Sequence, residues 1–195
     1  MKYKATLIIW LLVIVIFIIT YSQGLSIQNK FRYGALYVWK GEVGEWWRVI
    51  TYGFLHNSLQ HFIANLMLGI PITLYVENRT NSGITYLIFL LGVIGGGLMF
   101  LEFNDKWRVI TTGSSAGIWA LLAAATFELL SREKINLIVA AILFSSTGLM
   151  LYDTITNPNI NDLGHYGGYL TGMVIILVYI LQRSIRLKIN KEVIA

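Results

Sequence analysis

The sequence predicts an all-α membrane protein: a six-transmembrane-helix bundle with an interfacial first loop. Three observations carry that expectation. Of 195 residues, 56% are hydrophobic and only 13% are charged, where soluble domains average about 25% charged. Mean hydropathy is +0.65. The apolar residues are also gathered into six runs, at roughly 5–21, 59–76, 84–103, 115–130, 135–152 and 165–181. A helix needs about 20 apolar residues to cross a hydrocarbon core of about 30 Å, so most of these runs are long enough and the fourth is short. One domain over 1–195 is expected. There is no cysteine, which excludes a disulfide framework and a thiolate metal site. The net charge of +5 comes without a long block of like charge. The basic residues therefore read as orientation signals, and no nucleic-acid partner is expected.

Met1 to Lys4 is a short basic start, and Leu7 to Ile19 is wholly apolar. A signal peptide has the same outline, but Ser22-Gln23-Gly24 is a poor cleavage sequence and further spans follow. The segment is read as a retained first helix. Residues 24–57 hold no span. They are dense in aromatic side chains, Phe31, Tyr33, Tyr37, Trp39, Trp46, Trp47, Tyr52 and Phe54 among them, with scattered charges such as Lys30, Lys40, Glu42 and Arg48. Amphipathic rings settle at the membrane–water boundary, so this stretch is expected to fold as an interfacial loop.

The second span carries Asn65 and Pro71 and ends in a polar turn, Glu77 to Gly83. The third carries Gly92, Gly95, Gly96 and Gly97, which let neighbouring helices approach closely. A polar loop from Glu102 to Thr112, with Trp107 near its middle, leads to the fourth span at Ser115. Ser131 to Lys134 is a tight turn before the fifth span. Asp153 to Leu163 is a loop without a basic residue, and a basic tail follows the sixth span. An even number of spans puts both termini on one side. With the N-terminus inside, the inner segments hold Lys2, Lys4, Arg79, Arg132, Lys134 and the tail's Arg183, Arg186, Lys188 and Lys191. The outer loops hold Lys30, Arg32, Lys40, Arg48, Lys106 and Arg108. That bias predicts a multi-pass cell-membrane protein with both termini in the cytoplasm. Ser115, His61 and His165 then share one depth, near the outer ends of their spans.

Gly113-Ser114-Ser115-Ala116-Gly117 reads G-x-S-x-G. In a soluble hydrolase that pattern marks a strand-to-helix elbow exposing a nucleophile; here a polar loop enters an apolar helix instead. Gly and Ser also pack membrane helices, so the pentapeptide alone carries either reading. The chain has three histidines: His56 and His61 at the start of the second span and His165 at the start of the sixth. Polar groups in a span are costly and therefore suspected of function, the bland alternative being an interhelical hydrogen bond. His61 and Asn65 are four apart and share one helical face. They suit either a pair of N–H donors aimed at a developing oxyanion or helix–helix glue. Gly168 and Gly172 form a G-x-x-x-G face. Packed against the Gly117 and Ala120 region, it would bring His165 within hydrogen-bonding reach of Ser115, and a serine becomes a useful nucleophile when a base takes its proton. Asp162 is either a third member of that set or a loop or cap residue; a serine–histidine dyad is the more economical reading. Trp119 either stacks on His165 or simply packs in the bundle.

These residues resemble the rhomboid family of intramembrane serine proteases. The matching pieces run from residue 46 to 172 in the family's order. Trp47-Arg48 resembles its tryptophan–arginine motif. His56, His61 and Asn65 are similar to H-x-x-x-x-H-x-x-x-N on the second span. Gly113-Ser114-Ser115 resembles G-x-S on the fourth, and His165 to Gly172 resembles H-x-G-G-x-x-x-G on the sixth. The resemblance implies Ser115 as nucleophile, His165 as base, and an oxyanion hole of His61, Asn65 and the backbone N–H of Ser115, with His56 structural. It implies a six-helix core without metal or cofactor, a first loop partly in the outer leaflet, and a fifth helix that moves aside for substrate. Partners would be transmembrane protein substrates, cut near the outer face after a small residue, and the lipid bilayer itself. Two departures stand out: Ala116-Gly117 where members often have Gly and another small residue, and Trp119 where Tyr or Phe is common. The alternatives are an inactive relative that binds membrane proteins and a small histidine-lined transporter, for which no internal repeat is found. A zinc protease is disfavoured by the lack of H-E-x-x-H.

Overall fold

A computed structural model describes residues 2–37, 45–104, 110–132, 134–156 and 162–194. Among them are eight α-helices: α1 (Lys4–Ser22), α2 (Ile27–Arg32), α3 (Arg48–Thr51), α4 (Leu59–Arg79), α5 (Ser82–Phe103), α6 (Ser115–Leu130), α7 (Leu137–Thr156) and α8 (Asp162–Ile194). Each of the six apolar runs is helical. Four helices, α1, α4, α5 and α8, are long and apolar enough to cross a membrane, whereas α6 and the apolar part of α7 are shorter.

The helix starts follow side-chain chemistry. Ser58 accepts from the His61 N–H at 3.1 Å and Asn81 from the Ile84 N–H at 3.0 Å, so each caps its helix. The expected turn from Glu77 to Gly83 is shorter than its polarity suggests. α4 runs on through Arg79, and Glu77 is buried. Its carboxylate accepts from the Ala5 N–H at 2.8 Å, the Thr6 N–H at 2.9 Å and the Thr6 hydroxyl at 2.6 Å. Those amides begin α1, where a helix has unpaired N–H groups and a positive dipole end. A glutamate of one helix thus caps another, a tie that no local pattern announces. α8 likewise continues past residue 181, because the basic tail contains no Gly or Pro to stop it.

α6 is the buried centre of the bundle. Every residue from Ala116 to Ala125 is buried, with α4, α5 and α8 packed around the helix. Glycines make this possible. A side-chain carbon on Gly168 or Gly172 would overlap the carbonyl oxygen of Ala116 or Ala120. Gly92 and Gly96 of α5 face the same two alanines from another side. The expected partner Gly117 is instead turned toward the Phe89 ring; Ala116 and Ala120 lie four apart on the face that α8 meets.

The described part of residues 24–57 forms α2, α3 and a 3-10 turn, Tyr52–Phe54, with two-residue strand β1, Leu36–Tyr37. β1 pairs antiparallel with β2, Ile110–Thr111, in the register Leu36 to Thr111 and Tyr37 to Ile110. This pairing was not expected, since two residues are too few to show a strand period. Trp39, Lys40, Glu42, Lys106, Trp107 and Arg108 lie outside the described residues.

Candidate active site

Two helix starts and one turn build the site. Ser115 is the first residue of α6, and its predecessor Ser114 makes no side-chain cap to the helix. The first amides of α6 therefore keep their N–H groups and the positive dipole end free of a side-chain acceptor. His165 lies in the first turn of α8 and is 8% exposed. Its Nε2 is 2.9 Å from the Ser115 Oγ. The close contact of Gly168 and Gly172 with α6 holds the two helices at this distance. Trp119, one turn along α6, stacks on the His165 ring at 5.4 Å and 25°. It also meets the Tyr169 ring edge-on, at 6.0 Å.

Gly113 turns the chain into α6 with φ of 132°, a left-handed value that favours glycine. A side-chain carbon there would stand 3.1 Å from the His61 Nε2 and 3.6 Å from the Ser115 Oγ. That point thus lies close to both the hydroxyl and the His61 ring. The Gly113 N–H donates to the Tyr52 carbonyl at 3.0 Å, and Thr112 donates to Asn57 at 2.9 Å. Asn65, one turn after His61, is buried. Its Nδ2 has no acceptor among the described residues, and a buried amide N–H without an acceptor is rare and costly.

His56 lies behind the site, 1% exposed. Its Nε2 is 3.3 Å from the Ser114 Oγ, and the Phe17, His61 and Phe62 rings meet it edge-on. Burial first, then the neighbouring His61 charge, lowers its pKa to about 3, so it is a neutral packing and hydrogen-bonding group. Ser114 is the partner that sequence reasoning missed; a polar residue beside the central serine was the available signal.

Trp47 and Arg48 work elsewhere. The buried Arg48 guanidinium donates to the Phe31 and Ala35 carbonyls at 2.6 and 3.1 Å and to Glu45 at 2.8 Å. It also lies over the Phe31 and Trp47 rings at 4.3 and 4.5 Å. Together they fasten the first loop. Asp162 stands in the first turn of α8, where an acid suits the helix dipole.

The fold and these contacts define a class: a multi-pass helical membrane protein with a serine hydroxyl and an imidazole in contact at the start of its central helix. A rhomboid domain model matches residues 43–182, and the chain belongs to the rhomboid family. It is 26% identical to RHOMBOID-like protein 5 of Arabidopsis thaliana, over 82% of this chain and 52% of that protein. Rhomboid-like protease 3 of Toxoplasma gondii is 25% identical over 88% of this chain and 68% of its own length. Rhomboid protease GluP of Bacillus subtilis is 29% identical over 66% of this chain and 25% of its own. The chain thus spans about half the length of the first of these relatives. A relative from Caenorhabditis elegans is named as inactive.

Proposed function

We propose that this chain is an intramembrane serine endopeptidase that cuts transmembrane-anchored proteins near the outer membrane face. It would do so as a single six-span domain in the cell membrane, with both termini in the cytoplasm. The observation that carries the reading is the 2.9 Å contact between the Ser115 Oγ and the His165 Nε2, at an uncapped helix start in a rhomboid-family chain.

In the first step the Ser115 Oγ attacks the scissile carbonyl carbon while His165 Nε2 takes the hydroxyl proton. The carbonyl π pair moves onto oxygen. That oxyanion is met by the Ser115 N–H at the positive end of α6, the otherwise unpartnered Asn65 amide and the His61 ring. The intermediate collapses, the C–N bond breaks, and the departing amine takes the proton from His165. Water then repeats the sequence on the acyl-serine, with His165 as its base, and releases the acid. Trp119 supports this by holding the imidazole plane. The substrate must be extended at the cut, because a helix occupies its carbonyls with its own hydrogen bonds.

The test is cleavage of a membrane-anchored model substrate by the reconstituted chain, with Ser115→Ala beside wild type. Cleavage by wild type alone supports the proposal. Folded wild type that binds substrates without cutting any of them favours the second reading, an inactive binder of membrane proteins, for which the inactive name of one relative is the motive.

A further inference from the structure

At the end of the bundle away from Ser115, two arginines meet one acid, and a third stacks on the tyrosine that also reaches that acid. Glu128 of α6 is 1% exposed, a carboxylate in an otherwise apolar helix. Arg132 donates through Nε to the Glu128 Oε1 at 2.6 Å and pairs with the same oxygen through Nη2. Arg183 of α8 brings Nη1 to 3.8 Å from that oxygen. The Tyr75 hydroxyl of α4 donates to the Oε2 at 3.3 Å. The Arg79 guanidinium lies over the Tyr75 ring at 5.4 Å, and its buried Nε has no acceptor among the described residues.

One carboxylate cannot balance three guanidinium groups, and arginine does not shed its proton in proteins. Counted over these described side chains, the cluster carries a local excess of about two positive charges, by their fixed charge states. Arg132 and Arg183 are 31% and 37% exposed, so part of each fork reaches the surface. At a rise of 1.5 Å per residue, Arg79 lies about 27 Å along α4 from His61, and Arg183 lies about 27 Å along α8 from His165. That is about one hydrocarbon thickness, so the cluster stands at the headgroup level of the opposite leaflet. Guanidinium forks match phosphate oxygens in charge and geometry, and basic pockets between membrane helices at such a level suit acidic headgroups.

We propose that Arg132 and Arg183, held by Glu128, and Arg79, held over the Tyr75 ring, bind the phosphate of an anionic phospholipid headgroup; a soluble phosphate anion would offer the same chemistry. Glu128 positions two of the forks, and the Arg79 Nε supplies a donor that no group among the described residues uses.

The test uses the full chain purified in detergent, with native mass spectrometry to count retained lipid and a thermal midpoint to report folding. Phosphatidylglycerol, phosphatidylcholine and inorganic phosphate are the probes. The expected result is one tightly retained phosphatidylglycerol per chain, with phosphatidylcholine retained more weakly. Arg79→Gln and Arg183→Gln should each weaken that retention about tenfold, the order expected for one lost charged hydrogen bond. Arg186→Gln, on the same helix, should leave it unchanged. If Arg183→Gln fails to fold, Arg79→Lys replaces it and should give an intermediate loss, keeping the charge but not the fork. A midpoint rise with phosphatidylglycerol alone assigns the site to lipid; an equal rise with inorganic phosphate assigns it to a soluble anion, and both uphold the phosphate chemistry. Wild-type retention in Arg79→Gln, or an equal loss in Arg186→Gln, overturns the proposal in favour of diffuse attraction to basic side chains.

Discussion

Ser114 and Ser115 are adjacent hydroxyls with different surroundings. Ser115 meets His165, while Ser114 is fully buried against His56. Ser115→Ala should abolish cleavage. Ser114→Ala should retain a measurable rate while losing about 1 kcal/mol of stability, the usual worth of one hydrogen bond. A fluorophosphonate probe that labelled Ser114 in preference would reverse the assignment. Asn65→Ala should lower kcat about a hundredfold to a thousandfold with little change in KM, as for loss of an oxyanion donor; an effect confined to KM would make Asn65 a substrate-binding group instead. His56 gives a pH signature. Its pKa falls from 6.5 to about 3 on folding, chiefly through burial, so between those values the unfolded chain takes up a proton that the folded chain refuses. Its contribution is whole above about pH 6.5 and lost progressively as pH falls toward 3. The thermal midpoint should therefore fall less steeply with acid in His56→Gln than in wild type, and parallel curves would count against the assignment.

At the scale of elements, the site depends on how closely α8 lies on α6. Gly172 touches the Ala120 carbonyl with no room for a methyl group. Gly172→Val should push α8 outward, cost more than the about 1–3 kcal/mol typical of overpacking, and part His165 from Ser115. The expected readout is a lowered thermal midpoint with cleavage lost, and wild-type activity would mean that this contact does not set the dyad. α7 is held differently. Its main packing partner is α6, and Leu137, Ile138, Ile142, Phe144 and Leu149 are exposed. Few buried contacts mean cheap local opening, which suits the side on which a substrate helix would enter. Hydrogen exchange in detergent should be faster in α7 than in α6; slower exchange in α7 would exclude it as the moving element.

At the scale of the whole molecule, charge bias sets the direction of the chemistry. If both termini are cytoplasmic, Ser115 opens toward the outer face, and the cut should fall near the outer end of a substrate span, where Gly or Pro eases unwinding. Mass spectrometry of the product termini decides this, since a cut at the cytoplasmic end contradicts either the orientation or the role of Ser115. The same assay should give full activity in the presence of a strong chelator. Activity lost with chelator and restored by zinc would turn the three histidines into metal ligands.

The helices and the placing of His61 and Asn65 on one face were legible in the sequence, because each depends on residues within a few positions of one another. Apolar run length and the 3.6-residue period are local properties, and so is the preference of Ser58 and Asn81 for helix starts. The glycine face of the sixth span and the rhomboid motifs together pointed to Ser115 and His165 as a pair, although 50 residues separate them. What only the tertiary structure decided are the contacts with no local signature. Glu77 caps α1 from across the bundle. Ala116 and Ala120, not Gly117, receive the α8 glycines. Ser114 holds His56, and Glu128 of α6 meets Arg183 of α8. In each case a side chain meets a group more than a helix length away in sequence or on a face that several registers could offer. Periodicity tells which residues share a face, but only packing chooses which face meets which neighbour.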